Sequence, residues 1–204
     1  MTYVVLLLWM ILSKRLTGEL NSSFRQGNCL NISVRKMLCN SLIQCHFDYA
    51  CSSWYNGITK QLKNRLQTTQ NKVIRFINKY DCRTSLTVSD YSNLGLLNIE
   101  NRVKQYKLNH VHNIFYKKCP SYLHDNFTKL VDIHCHNTRG SFAKFHVPNV
   151  NSFNITSFYY NGIKEWNHLP DSIKAIENKH RFKKEVKRQL FKNMTEKENS
   201  IYVI

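Results

Sequence analysis

The chain has 204 residues, 42% hydrophobic and 12% aromatic, enough to bury a core and too apolar for a disordered polar polypeptide. Six Gly and three Pro encode few sharp turns, which argues against a many-stranded sandwich or barrel and for helices. Thirty Lys and Arg against 13 Asp and Glu give a formal charge of +17, a self-repelling balance that polyanions relieve.

Residues 1–12 (MTYVVLLLWMIL) are almost wholly apolar and precede Lys14 and Arg15. Twelve helical residues span about 18 Å, short of the ~30 Å a hydrocarbon core requires. A secretory signal carries its positive charge before the apolar run, so the segment reads as a buried helix or strand first and a signal anchor second. Residues 13–31 lack apolar periodicity and read as a linker. Ser33 is a reasonable N-cap for a helix whose inward stripe is Val34, Met37, Leu38, Leu42 and Cys45. It gives way to the aromatic stretch Phe47, Tyr49, Trp54, Tyr55, closed by an Asn56-Gly57 turn.

The clearest element is a helix over 59–80. Leu62, Leu66, Thr69, Val73, Phe76, Ile77 and Tyr80 form one stripe, with Lys60, Arg65, Lys72, Arg75 and Lys79 opposite. That second face is either an ordinary solvated surface or a cationic ridge able to meet successive phosphates. A third long helix is predicted over 98–117, capped by Asn98 and ended by Cys119-Pro120. Its inward side is Ile99, Val103, Tyr106, His110 and Ile114, widened by Val111 and Phe115. A short helix over 121–130 follows, and then the helical period is lost from 138 to 147, an extended or hairpin-like piece near 138–148. Helix resumes over 156–167 with Phe158, Ile163 and Trp166 inward, and Leu169-Pro170-Asp171 breaks it. A last helix, 178–194, buries Phe182, Val186 and Leu190. Residues 179–197 hold eight Lys and Arg against Glu185 and Glu196, the densest basic stretch in the chain. The expected fold is mainly α, an irregular helical bundle divided as 1–31, 32–82, 83–195 and a tail 196–204.

The candidate chemistry is narrow. Two-metal nucleotidyl transfer needs carboxylates converging on Mg²⁺. The six Asp (48, 81, 90, 125, 132, 171) include no adjacent pair, and there is no Gly-rich phosphate loop, Gly-x-Ser-x-Gly elbow or His-Glu-x-x-His helix. The seven cysteines (29, 39, 45, 51, 82, 119, 135) are odd in number and irregular in spacing. They predict reduced thiols in an intracellular setting, nuclear or cytoplasmic, not a disulfide framework. Cys119, His124, His134, Cys135 and His136 approach a cluster, but no Cys-x-x-Cys pair exists and a zinc role is not expected. Neither metal nor cofactor is expected. His136-Asn137-Thr138-Arg139 places an Arg at a helix-to-extended junction, where it can hold a phosphate or clamp backbone carbonyls; the clamp is the favoured reading. Trp166 with Leu169 and Pro170 reads as a core corner and not as a base-stacking platform.

Seven blocks occur in order: LCNSLIQCHFDYACSSWYN (38–56), LQTTQNKVIRFI (66–77), LGLLNIENRVKQYKLNHVHNIF (94–115), PSYLHDNF (120–127), HNTRG (136–140), SFYYNGIKEWNHLPDSIK (157–174) and FKKEVKRQL (182–190). Together, over roughly residues 32–192, they resemble the segment that follows the polymerase palm in jockey-like non-LTR retrotransposon reverse transcriptases. The resemblance implies a thumb-like pair over 32–82 and a helical extension over 83–195 that grip template and primer, with the catalytic aspartates upstream of this sequence. Residues 1–31 do not match that palm, which suggests a truncated element copy or a gene model that begins in unrelated sequence. The expected function is a non-catalytic fragment of an RNA-directed DNA polymerase that binds RNA or DNA backbone without sequence specificity. Lys60, Lys72, Arg75, Lys79, Lys183, Lys184, Lys187 and Arg188 are the expected contacts, with Arg139 added, and the missing palm of a related element is a further partner. The alternative is a protein–protein or membrane-surface module built on the apolar segment 1–12.

Overall fold

The computed structural model describes residues 29–133, 143–149, 151 and 154–201. These are mainly helical, with no strand among the described residues, in agreement with the irregular helical bundle expected. The chain divides into two compact units, 1–100 and 101–204. No helix among the described residues is long and apolar enough to cross a membrane.

In the first unit, α1 (Ile32–Leu38) runs through a π-helical turn (Cys39–Gln44) into α2 (Cys45–Asp48). Asn31, not Ser33, caps α1, its side chain accepting from the Val34 amide at 2.9 Å. The buried residues are Arg35, Cys39, Ile43, Gln44 and Phe47, whereas Met37 is 64% exposed, Leu42 42% exposed and Cys45 exposed. The expected stripe is therefore wrong, for a geometric reason. At 100° per residue Phe47 would lie about 120° around the helix from Arg35. The wider π turn advances less per residue and brings Phe47 back toward Arg35's side. Arg35, only 4% exposed, is at home there because its Nη1 donates to the Phe76 carbonyl at 2.6 Å, with the guanidinium carbon 5.9 Å from the Phe76 ring centroid. It thus satisfies a carbonyl at the end of α4 (Lys60–Asn78), where a cation also suits the helix dipole. Burial pushes the Cys39 thiol up to about 12, so it stays protonated.

Between these helices lie α3 (Cys51–Trp54) and a 3-10 turn (Tyr55–Gly57). Thr59 caps α4, which buries Leu66, Gln70, Val73, Ile74, Phe76 and Ile77. Tyr80, expected inward, is 41% exposed and donates to Asp90 at 2.9 Å. The segment 83–100 belongs to this unit because amide side chains of α4 hold it. Gln70 Nε2 donates to the Leu97 carbonyl at 2.8 Å, Gln67 Oε1 accepts the Ile99 amide at 3.1 Å, and Gln67 Nε2 reaches the Tyr91 hydroxyl at 2.9 Å. Helix α5 (Val88–Leu94) starts where Asp90 accepts the Thr87 amide at 2.8 Å. It stops at Gly95, whose φ of 66° favours a residue without Cβ.

Helix α6 (Ile99–Phe115) supplies the second unit with Val103, Lys107, Leu108, Val111, His112 and Ile114 as buried residues. Tyr106 and His110 are not on that buried side, contrary to expectation: Tyr106 is half-buried and His110 exposed. The short helix expected over 121–130 resolves into α7 (Ser121–His124) and α8 (Leu130–Ile133). The extended segment is present in 143–149. It pairs with 128–130, Leu130 donating to the Lys144 carbonyl at 3.0 Å and His146 to the Thr128 carbonyl at 2.9 Å. After a 3-10 turn (Asn154–Thr156), α9 (Phe158–Asn167) buries Ile163 and Trp166, and Trp166 Nε1 donates to the Ala143 carbonyl at 2.9 Å. Trp166 is a core residue, as expected. Helix α10 (Asp171–Lys174) forms one turn after Pro170, and α11 (Lys179–Ile201) continues well beyond Met194.

Four i, i+4 residues of α11, Phe182, Val186, Leu190 and Met194, are buried. Phe182 stacks on His112 with ring centroids 4.1 Å apart, and His112 Nε2 lies 2.8 Å from the Ile176 carbonyl. That contact requires an Nε2–H donor, and Nδ1 is buried without a partner, the arrangement of a neutral ring. Glu165 anchors Lys107, fully buried, at 3.0 Å, tying α9 to α6.

Arg35→Met should destabilise the protein by about 1–3 kcal/mol by removing the charged hydrogen bond to the Phe76 carbonyl, whereas Met37→Ser should stay within about 0.5 kcal/mol. Urea unfolding midpoints of the two variants compare them directly. Burial, aided by Lys118 and Lys179 and opposed by the Ile176 carbonyl and Glu177, holds the His112 imidazole below its usual range. The unfolded chain then binds this proton more readily than the folded one. His112 therefore contributes stability that is whole above about pH 6.5 and lost as pH falls through its lower folded value. Replacing it by Gln, which keeps a donor for Ile176 but does not titrate, should flatten the acid side of the stability–pH curve.

Candidate nucleic-acid interface

The basic stretch of α11 acquires its geometry from the buried row beneath it. With Phe182, Val186 and Leu190 turned inward, His180, Lys183, Lys184 and Lys187 fall together on another side at i, i+3, i+4 and i+7. Gln105 of α6 pins this turn, its Nε2 donating to the Lys183 carbonyl at 3.2 Å. Across from the cations, α6 presents Arg102, Gln105, Tyr106 and Asn109. The two helices enclose a cleft of about 340 Å³ lined by these eight residues, none of them acidic. Four permanent cations, Arg102, Lys183, Lys184 and Lys187, share it. It also lies near the N-terminal end of α11, whose first turn holds no acidic residue and whose dipole adds positive potential. Asn178 satisfies the His180 and Arg181 amides at 3.0 and 3.1 Å.

The expected contact residues fare unequally. Lys183, Lys184 and Lys187 converge on the cleft. Arg188 is exposed, forms an ion pair with Glu185 and does not line the cleft. In the first unit Lys60, Lys72 and Lys79 are exposed, but they make no single ridge. Lys60 and Lys72 lie about 18 Å apart along α4 and about 120° apart around it. Lys79 closes α4 in the left-handed region at φ 57°. Arg75 is half-buried, its Nε donating to the Thr84 carbonyl at 2.9 Å, so it fastens the loop after α4. Arg139, with His134, Cys135 and His136 of the zinc test, lies outside the described residues. Among the described residues no group of three His, Cys, Asp or Glu side chains is placed to hold a metal ion.

Sequence reasoning missed the α6 half of the cleft. Apolar spacing places Tyr106 inward and marks out none of Arg102, Gln105 and Asn109. Yet Arg102, Tyr106 and Asn109 recur at i, i+4 and i+7, a polar and aromatic stripe beside the apolar one. No protein-family model matches the chain, and no curated protein or solved structure matches it.

The hydrogen bond from Arg75 separates structural from solvent-facing cations on α4. Arg75→Gln should lower stability by about 1 kcal/mol or more, and Lys72→Gln should change it by less than about 0.5 kcal/mol, in thermal or urea unfolding.

Proposed function

We propose that this chain is a non-catalytic, mainly helical module that holds RNA or DNA by its phosphate backbone without reading sequence. The observation that carries the reading is the α6–α11 cleft: four permanent cations held together with no acidic residue among the lining groups. Such a grouping repels itself in the free protein, and a polyanion relieves the repulsion while releasing its own counterions. The resemblance of the seven sequence blocks to the C-terminal part of jockey-like reverse transcriptases supports the same reading. On that basis the chain is a remnant of an RNA-directed DNA polymerase, with the palm of a related element as a further partner. Its non-catalytic character rests on the carboxylates: no two of the six Asp are neighbours in sequence. The alternative module for proteins or membrane surfaces draws on residues 1–12, outside the described residues.

Binding should weaken steeply and linearly on a log–log plot against salt. Replacing Lys183, Lys184 and Lys187 by Gln should reduce that slope by roughly 2–3, since each lost phosphate contact removes about 0.7–0.9. Replacing Lys60, Lys72 and Lys79 should change it less. Fluorescence anisotropy over a salt series makes the comparison, and an unaltered slope in the α11 variant would remove the cleft as the binding site.

A further inference from the structure

The cleft holds more than charge. Arg102 and Tyr106 stand one helical turn apart on α6, with the guanidinium carbon 5.8 Å from the Tyr106 ring centroid. Two planar π-surfaces thus line the cleft across from its lysines. Asn109, one further turn along, has a buried Oδ1 without a hydrogen-bond partner. The remaining charged side chains that line the cleft, Lys183, Lys184 and Lys187, are donors only. A phosphate needs nothing beyond such donors; planar faces and an unused acceptor suit a base.

The size of the cleft narrows the ligand further. About 340 Å³ lies near the lower end of small-ligand pockets, wide enough for a splayed base and its backbone. A duplex keeps its base faces stacked inside, and exposing one costs a few kcal/mol of unstacking and unpairing. It would reach the rim lysines and nothing deeper. A single strand has free faces to offer, and base–aromatic stacking tolerates any sequence.

Resting on the backbone-binding reading above, we propose that the α6–α11 cleft selects single-stranded nucleic acid. A base stacks against the Arg102–Tyr106 pair, while Lys183, Lys184 and Lys187 take the adjoining phosphates. Tyr106 is then the residue that distinguishes single strand from duplex, and the lysines bind both.

The test uses the full chain with an oligothymidylate and a blunt DNA duplex of equal length, titrated at one salt concentration. Wild type should prefer the single strand. Tyr106→Leu should weaken single-strand binding about 5- to 150-fold, the range seen when a stacking aromatic is lost, and change duplex binding less than about twofold. Tyr106→Phe should bind as wild type does. Arg102→Lys, which keeps the charge and loses the plane, should reduce the preference without altering the salt slope. Far-UV circular dichroism of each variant confirms that the helices are retained, and Tyr106→Phe and Arg102→Lys carry the test if Tyr106→Leu does not fold. Equal wild-type affinity for the two nucleic acids, or equal losses on both from Tyr106→Leu, would overturn single-strand selection and leave backbone binding standing. Binding of neither would overturn the backbone reading and this inference with it.

Discussion

The contact on which the second unit depends is the stacking of Phe182 on His112, with the imidazole turned to the Ile176 carbonyl. It joins α11 to α6 face to face and sets the rotation of α11 about its own axis. Once Phe182 points inward, Val186, Leu190 and Met194 must follow at four-residue intervals, and the lysines between them are carried to one side. Each buried apolar side chain of that row contributes on the order of 1.5–3 kcal/mol. Repulsion between partly exposed cations is screened over about 8 Å in physiological salt and amounts to a fraction of a kcal/mol per pair. Burial wins this comparison comfortably. A packed seam can therefore hold several like charges together on one side of α11.

Polar groups do comparable work in the first unit. Arg35 occupies an interior position and ends up at the carbonyl end of α4, while Gln67 and Gln70 fasten the 83–100 segment through its backbone. A buried polar group is costly without partners and valuable with them, because its hydrogen bonds fix one geometry where apolar contacts tolerate several. These amides therefore specify which stretch of chain lies on α4, while the surrounding Leu, Val and Ile side chains supply most of the favourable burial.

The sequence was most readable where one helical period ran unbroken. The 59–80 helix, Trp166 as a core corner, the row Phe182, Val186, Leu190 and the extended piece near 145 all follow from spacing, propensity and proline placement. The inward stripe of α1 and α2 was not legible for two reasons: a buried Arg35 holds the position that apolar spacing gives to Met37, and a π turn has no compositional signature, so a fixed 100° step keeps Leu42 and Cys45 inward in place of Ile43 and Phe47. It failed on α6 because Tyr106 fits an apolar period as well as a polar one, and only the seat of α11 decides between them. The same limit divided the cations. Lys183, Lys184 and Lys187 were visible as a dense run, but Arg102 lies some eighty residues away in sequence and joins them only through tertiary packing. Arg75 and Arg188 looked equivalent to their neighbours until their partners, the Thr84 carbonyl and Glu185, were in place.

On the proposal above, the polynucleotide lies in the α6–α11 cleft. Photocrosslinking to a short single strand carrying 4-thiouridine throughout, followed by mass spectrometry of the attached peptides, tests it most directly. Attachment should concentrate in 102–109 and 180–187. Attachment spread evenly along the basic surface, or concentrated on α1 and α4, would contradict it.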